Sequence, residues 1–586
     1  MNNVVAGGES SNRRAWVIRL VLLFPAVAYV GIALHRRANP LFGDEPRYVA
    51  IAESIVRDGD VAVENNYTSL GFPWTEVCVV KSPRGYHSMH GLGLPLLIAP
   101  GWFVGGAPGV RIWLSLLTSL VPFIVYRVVA HRFPSPGWSL LVTLTISLGM
   151  PFADGADQIY PDLPSGLMLL YAANFVVGRS AGINATRLRF VAFVAIVAFL
   201  PCLHIKQAAP AFVLLVGYLG LCRMEHPIRR FVSAAVLIGS LSGLACYNHY
   251  AFANPLGPYG TNEGLCIDLP KNVMIFFGLH WDQAQGMFLQ QPFFLLGLVG
   301  IGQMWRNSRR ILIWLALLGA SLLVPNCLHP NLYGGGSLAG RFAWSSVLLW
   351  CFPVSYAARR LFERSPRSLV ATCAVCLLLQ FWLAGSWLRG SDRLLQGCLD
   401  TPLWAYNGLY PALRDWLPFW HCWESQWQHG PNYTFLLFGA LLWASSWLTR
   451  ERCRAAWATM ALVSLALHPL RAPDVSWVPW HTPSGAPAGV LAIVPSLLFK
   501  PGDYQVKVEY AAEAKGAAPV GKLHVGFVAP DGQVKDLPPT GSGGGECSEL
   551  VHVNLRRACQ CAFVAVLHQG PGAMMVKRIS IEPPRR

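Results

Sequence analysis

The stretch AWVIRLVLLFPAVAYVGIAL (Ala15–Leu34), followed by GDEPRYVAIAESIVRDGD (Gly43–Asp60), decides how the chain is read. About twenty residues of nearly unbroken apolar character match the hydrocarbon thickness of a bilayer. Met1–Arg14 ahead of them is polar, and the run is too long for the core of a cleaved leader, so it reads as a retained first membrane span. Just beyond it stand two adjacent acids, Asp44 and Glu45, followed at once by Pro46, Arg47 and Tyr48. Carboxylates at the mouth of a span carry a desolvation cost, and that cost calls for a reason.

Working outward, the composition repeats the pattern of the first span. The chain has 586 residues, 53% hydrophobic and only 13% charged, where a soluble domain carries about 25% charged residues. Further spans are expected near 110–130, 137–153, 160–178, 189–203, 207–222, 231–250, 286–304, 311–328, 341–357, 368–387, 432–449 and 455–470, about thirteen in all. His90–Gly106 is apolar but short and broken by Pro95 and Pro100, so it reads as an interfacial or re-entrant segment.

With the N-terminus placed in the cytoplasm, the inside loops carry Arg13 and Arg14, Arg127 and Arg132, Arg179 and Arg187, Arg229 and Arg230, Arg309 and Arg310, Arg359 and Arg360, and Arg450 and Arg452. This is the positive-inside pattern. It accounts for the net charge of +16 without nucleic acid, for which no basic domain exists. It also places Asp44, Glu45 and the C-terminus outside. The expected organisation is a cytoplasmic tail (1–14), a transmembrane domain (15–470) with a large first outer loop (35–109), and a periplasmic or extracellular domain (471–586). In that last part GVLAIVP, DYQVKVEY, KLHVGFVAP, ELVHVNL, CAFVAVLHQ and MMVKRISIE alternate between apolar and polar. They read as about six strands of a β-sandwich.

Ionisable residues gather at the outer ends of the spans. Lys81, His87 and His90 precede the re-entrant segment. Asp157 and Asp162 lie in ADGADQIYPDLP (Ala153–Pro164), and His204 and Lys206 in PCLHIKQAAP (Pro201–Pro210). His280 and Asp282 precede one span, and His329, Tyr333 and Arg341 another. Each has an ordinary alternative. Asp162 between two prolines suits a helix N-cap, worth about 1 kcal/mol, and Lys206 suits snorkelling. A histidine in an outer loop is usually solvated, which makes His87 and His90 weak metal candidates. A single cap does not need two acids followed by Arg-Tyr, so the Asp44–Glu45 pair stands out as functional. A carboxylate can take a proton from an acceptor hydroxyl or amine, while Arg and Lys hold phosphate. Acids and cations at one membrane face suit a substrate whose leaving group is a lipid phosphate.

Here the sequence resembles membrane glycosyltransferases of the GT-C type, the group of the protein O-mannosyltransferases and the aminoarabinose transferases that modify lipid A. The Asp-Glu-x-Arg-Tyr of the latter is matched by Asp44, Glu45, Arg47 and Tyr48, and their Lys-Pro-Pro more loosely by Lys81-Ser82-Pro83. GLHWDQAQGMFLQQPFFLLGL (Gly278–Leu298) and GGGSLAGRFAWSS (Gly334–Ser346) are similar to segments of uncharacterised bacterial members. The resemblance covers roughly residues 15–470 and implies a polytopic α-helical protein of the cytoplasmic membrane, to which the strand pattern adds the C-terminal β-sandwich. It implies inverting transfer of a sugar from a polyprenyl-phosphate donor to a glycan, lipid or protein acceptor. Asp44 would serve as base, supported by Glu45, with Arg47, Lys81, Lys206 and Arg341 for the donor phosphate and Tyr48, Asp157, Asp162 and Asp282 as further site residues. Some members use a divalent ion and others do not, so the resemblance leaves a metal cofactor open.

Two readings compete with it. A transporter or flippase of a lipid-linked substrate would show related halves and ionisable groups at mid-membrane, and neither is visible. A non-catalytic polysaccharide-assembly protein would use the acids only structurally. Removing both acids discriminates it from an enzyme, since activity would then survive.

Overall fold

The computed structural model describes residues 2–389 apart from 38–40, 42, 71–78, 83, 223–224, 259–266, 283–285, 330–336 and 339, and beyond them 395–396, 433–445, 447 and eight strands between 480 and 582. These residues fall into two compact units. The first lies within Met1–Gly334, Leu338–Ser386 and Tyr433–Pro469, and the second within Gly335–Ser337, Trp387–Asn432 and Leu470–Arg586.

The first unit is a helical, multi-pass membrane protein. Helix α1 (Asn2–Arg36) shows why. Leu22, Ala26, Tyr29 and Ala33 are buried, while Trp16, Val17, Leu20, Phe24, Val27 and Leu34 are exposed. The buried stripe recurs every three or four residues and packs inward. The opposite face is just as apolar, which only lipid accommodates.

Five segments are long and apolar enough to cross a bilayer: Ala15–Arg36, Gly93–Ala130, Pro227–Phe252, Pro292–Cys327 and Pro366–Gly385. The expected thirteen are not reached by that measure among the described residues. The stretches expected at 137–153, 189–203 and 207–222 form the shorter helices Pro136–Ser147, Arg187–Leu203 and Ala208–Leu221, and 455–470 lies outside the described residues. The spans expected at 286–304 and 311–328 meet in one helix, Leu296–Cys327, broken at Ser308.

Gly93–Thr118 turns back on itself. Gly105 and Gly106 leave helical geometry, with φ +58° at Gly106, where only glycine is unstrained. Trp113 Nε1 then donates to Leu97 O at 2.8 Å. A Cβ on Gly109 would lie 2.2 Å from the Gly101 carbonyl oxygen, so small residues set the closeness of the two arms. At 1.5 Å per residue the first arm is about 18 Å long, short of a span. The fold-back brings Arg111 to the end of the bundle where the first loop lies.

That end collects the C-terminus of α1, helix α2 (Glu45–Glu53), the hairpin of β1 (Val79–Ser82) and β2 (Gly85–Ser88), the loop before α3 (Asp162–Ser180), the turn at His204–Lys206 and the helix Arg341–Val347.

In the second unit eight strands form two four-stranded antiparallel sheets, two strands more than the sequence pattern suggests. The additional strands, Trp480–Thr482 and Gln533–Leu537, are too short to show an alternating run. An inner strand of one sheet is Gly502–Glu513. Val506 stands opposite Val551 and Ile581, and Tyr510, fully buried, stands opposite Cys547 and Val576.

Candidate active site

The two adjacent acids point into different environments. Glu45 is 1% exposed and belongs to a chain of buried charges. Its Oε2 lies 3.0 Å from Arg111 Nη2, and its Oε1 accepts from the Ile159 amide at 3.0 Å. Arg111 Nη1 lies 3.6 Å from Asp157 Oδ2, and Asp157 Oδ1 lies 2.7 Å from Arg36 Nη1. The order Arg36–Asp157–Arg111–Glu45 alternates in sign. It ties the end of α1, the returning arm of the glycine-hinged helix, the 156–161 loop and α2 together. Removing one member of such a buried set leaves a charge without compensation, at a cost of about 3–5 kcal/mol. Glu45 and Asp157, both read as site residues from sequence, are built into this brace.

Asp44 precedes the first residue of α2 and stays partly exposed. Pro46 in the first turn suits the helix start, and Asp44 O accepts from Arg47 N at 3.0 Å. The Asp44 carboxylate is 29% exposed, and its neighbours are cations. Arg47 Nη1 lies 2.7 Å from Oδ1, His90 Nε2 3.7 Å from Oδ1 and Arg341 Nη1 3.4 Å from Oδ2. Its amide donates to Tyr160 Oη at 3.3 Å. The Arg341 guanidinium stacks over the Tyr160 ring at 4.1 Å, and its Nε is 4.0 Å from Asp162 Oδ2. Asp162 in turn holds Lys206 Nζ at 2.8 Å, and Ser345 Oγ donates to its carbonyl at 3.1 Å.

Arg47, Lys206 and Arg341 thus face Asp44 and Asp162, three cations against two anions, and a protonated His90 adds a fourth. Asp162 is 2% exposed and Arg341 7%, so the accessible members are Asp44 and Arg47. Burial raises the Asp44 pKa, but His90, Arg341 and Arg47 outweigh it and hold the group well below the usual carboxylate range. His204 is pushed the other way. Burial, with Lys206, His90, His329 and Arg341 nearby, holds its pKa well below the ordinary histidine value, so it stays neutral while its Nδ1 accepts from the Lys206 amide at 3.3 Å.

The other expected residues are distributed as follows. Tyr48 is buried with its ring edge-on to His90 at 4.8 Å. Lys81 is exposed on the β1–β2 hairpin with Nζ 5.6 Å from the Tyr86 ring, and no described contact joins it to Asp44. His87 is buried, its Nδ1 3.2 Å from Val61 O, beside Tyr250 and Phe252. His90 alone of the two histidines reaches Asp44. Among the described residues no three His, Cys, Asp or Glu side chains converge as a divalent metal needs. Asp282 is buried beyond Leu269–Trp281, where its carbonyl accepts from Gly286 N at 2.8 Å.

Sequence reasoning missed Arg36, Arg111, Tyr160 and Ser345 as partners. Tyr160 stood inside a stretch already singled out, and an aromatic ring among acids at a span end was the available signal.

No protein-family model and no curated protein matches the chain. Among solved structures it is similar to ArnT from Cupriavidus metallidurans bound to undecaprenyl phosphate, at 15% identity over 78% of this chain and 75% of that one, with a TM-score of 0.42. It is similar to the apo state of the same protein at 15% identity over 78% and 76%, with a TM-score of 0.43. It is also similar to the apo oligosaccharyltransferase of Archaeoglobus fulgidus at 12% identity over 72% and 58%, with a TM-score of 0.34.

Proposed function

We propose that this chain is a membrane glycosyltransferase that moves a sugar from a polyprenyl-phosphate donor to an acceptor at the outer face of the cytoplasmic membrane, with Asp44 as the base. The observation that carries the reading is the accessible Asp44 carboxylate beside Arg47 and Arg341, with the Asp162–Lys206 pair behind them. The first-loop resemblance supports it independently.

In the transfer, the acceptor hydroxyl or amine attacks the anomeric carbon and the bond from that carbon to the phosphate oxygen breaks. The electron pair leaves on the polyprenyl phosphate, and the acceptor proton passes to Asp44. Each role has a physical requirement. The leaving phosphate gains negative charge, and the cation surplus stabilises it. A useful base needs a pKa near the working pH, whereas Asp44 in its resting ion pairs is a weak one. A donor phosphate that recruits Arg47 and Arg341 removes those cations from the carboxylate and raises its proton affinity. The base is then strengthened when the donor is in place. Glu45 fixes α2 through Arg111 and so orients Asp44 without touching substrate.

The test is mass spectrometry of carrier lipids from cells lacking the gene and complemented with wild type or Asp44→Asn. One glycosylated carrier accumulating in the deletion and the variant, but not in wild type, is expected. Unchanged carrier lipids in all three would remove the reading.

A further inference from the structure

At the end of the first unit opposite Asp44, the helix ends line an open, charged recess. It has a volume of about 730 Å³ and is lined by His131, Arg132, Gln303, Arg306, Tyr356, Arg359, Arg360 and Glu363, among others. Among the described residues the lining carries Arg132, Arg306, Arg359 and Arg360 and one carboxylate, Glu363, which pairs with Arg359 at 2.7 Å. Arg132 is held in place by its bond to Tyr356 Oη at 2.7 Å, and Tyr356 Oη also contacts Ser308 Oγ at 2.8 Å. Gln303 Nε2, a buried donor, has no hydrogen-bond partner there.

Beside the cavity lies a cluster of exposed indoles. Trp447 is within 6.5 Å of Trp305 and 6.2 Å of Trp443, Arg306 lies over Trp447 at 5.4 Å, and Arg309 lies over Trp305 at 4.2 Å. Exposed tryptophans with arginines on a membrane protein settle at the level of the lipid headgroups.

We infer that this cavity binds the phosphate headgroup of an anionic phospholipid, seated among Arg132, Arg306 and Arg360 with its acyl chains running past the tryptophans. A phosphodiester supplies acceptors for several guanidinium groups at once. The indole belt places those groups where headgroups lie rather than where free phosphate diffuses. A zwitterionic headgroup brings an ammonium into the same positive field and is disfavoured. Basic recesses between spanning helices take anionic headgroups on this physical ground.

The experiment uses the full chain in detergent, titrated with dioctanoyl phosphatidylglycerol, dioctanoyl phosphatidylcholine or inorganic phosphate and read by thermal unfolding. Phosphatidylglycerol is expected to raise the midpoint, and the other two are not. In an Arg306→Gln, Arg360→Gln variant the apparent affinity for phosphatidylglycerol should fall roughly 30-fold, at about 1 kcal/mol per arginine. Glu363→Gln removes the opposing charge and should tighten binding several-fold, a gain that a merely damaged fold cannot produce. Equal shifts from phosphatidylcholine, competition by inorganic phosphate at equal concentration, or undiminished binding in the double variant would each overturn the assignment.

Discussion

Arg341 Nη1 lies 3.4 Å from Asp44 Oδ2 across 297 residues of sequence, and the Nε of the same guanidinium is 4.0 Å from Asp162 Oδ2. One cation is thus shared between an accessible carboxylate and a buried one. A phosphate arriving at the open side competes with Asp44 for that guanidinium but cannot displace Asp162, which Lys206 and Ser345 hold from behind. Arg341 thus faces a fixed carboxylate at charge-contact distance on one side and an exchangeable one on the other.

Replacing Asp44 tests the base directly. Asp44→Asn keeps the shape and removes the proton acceptor, and turnover should fall by about 10²- to 10⁴-fold. Folding should be retained, because the side chain is 29% exposed. Binding of the donor should be unchanged or tighter, since a negative charge has left a cation-rich cluster. Turnover and donor binding measured on the purified variant separate these effects; parallel losses in both would indicate a collapsed site instead.

Arg341→Lys keeps the charge but loses the planar fork that spans two carboxylates. Two changes are expected. The donor KM rises, by about tenfold for a lost charge-assisted bond. The pKa of Asp44 also rises, because a cation that holds it down now sits less well. A base must be deprotonated to act, so a higher pKa moves the acid limb of the pH–rate profile to higher pH. A profile of kcat/KM against pH for both proteins decides it, and a limb that stays in place would separate Asp44 from the proton transfer.

Glu45→Gln should behave unlike its neighbour. It breaks the Arg36–Asp157–Arg111–Glu45 brace and leaves Arg111 buried at 2% exposure opposite a neutral amide. Stability should fall by about 3–5 kcal/mol, while the activity of the protein that remains folded drops far less than in Asp44→Asn. Thermal unfolding together with activity per folded molecule distinguishes a brace from a reacting group.

These contrasts show what the sequence could convey. Span ends with Asp44, Asp162, Lys206 and Arg341 were visible because charge beside long apolar runs is costly and therefore conspicuous. The structure brings these four together with Arg47. Arg111 was not legible in the same way. It sits at the start of an apolar run, and only the fold-back at Gly105 and Gly106 carries it to Glu45. Where the Lys81 side chain stands was not legible either, because position in the first loop says nothing about which way a hairpin faces. The strand Gln533–Leu537 escaped notice because five residues are too few for a period of two to emerge.

A last prediction concerns stability away from the site. Glu225 lies between the helices Ala208–Leu221 and Pro227–Phe252 and is 2% exposed. Its Oε2 is 2.7 Å from Arg179 Nε, in the last turn of α3, and its Oε1 is 2.9 Å from Arg229 Nη1. Burial pushes its pKa up, but the bonds and charges of Arg179 and Arg229 prevail and hold it below the ordinary value. A carboxylate with a lower pKa in the folded chain binds its proton more readily when unfolded, so its contribution grows with pH. That contribution is fully present above the unfolded pKa, near 4.3, and disappears as pH falls through the lower folded value. Glu225→Gln should therefore cost about 2–3 kcal/mol at pH 7, less than a fully buried pair because Arg229 is 32% exposed. The gap between wild type and variant should close on acidification below about pH 4. Unfolding midpoints of both proteins at pH 7, 5 and 3.5 supply the check. A gap that does not change with pH would mean that Glu225 holds the helices by shape rather than by charge.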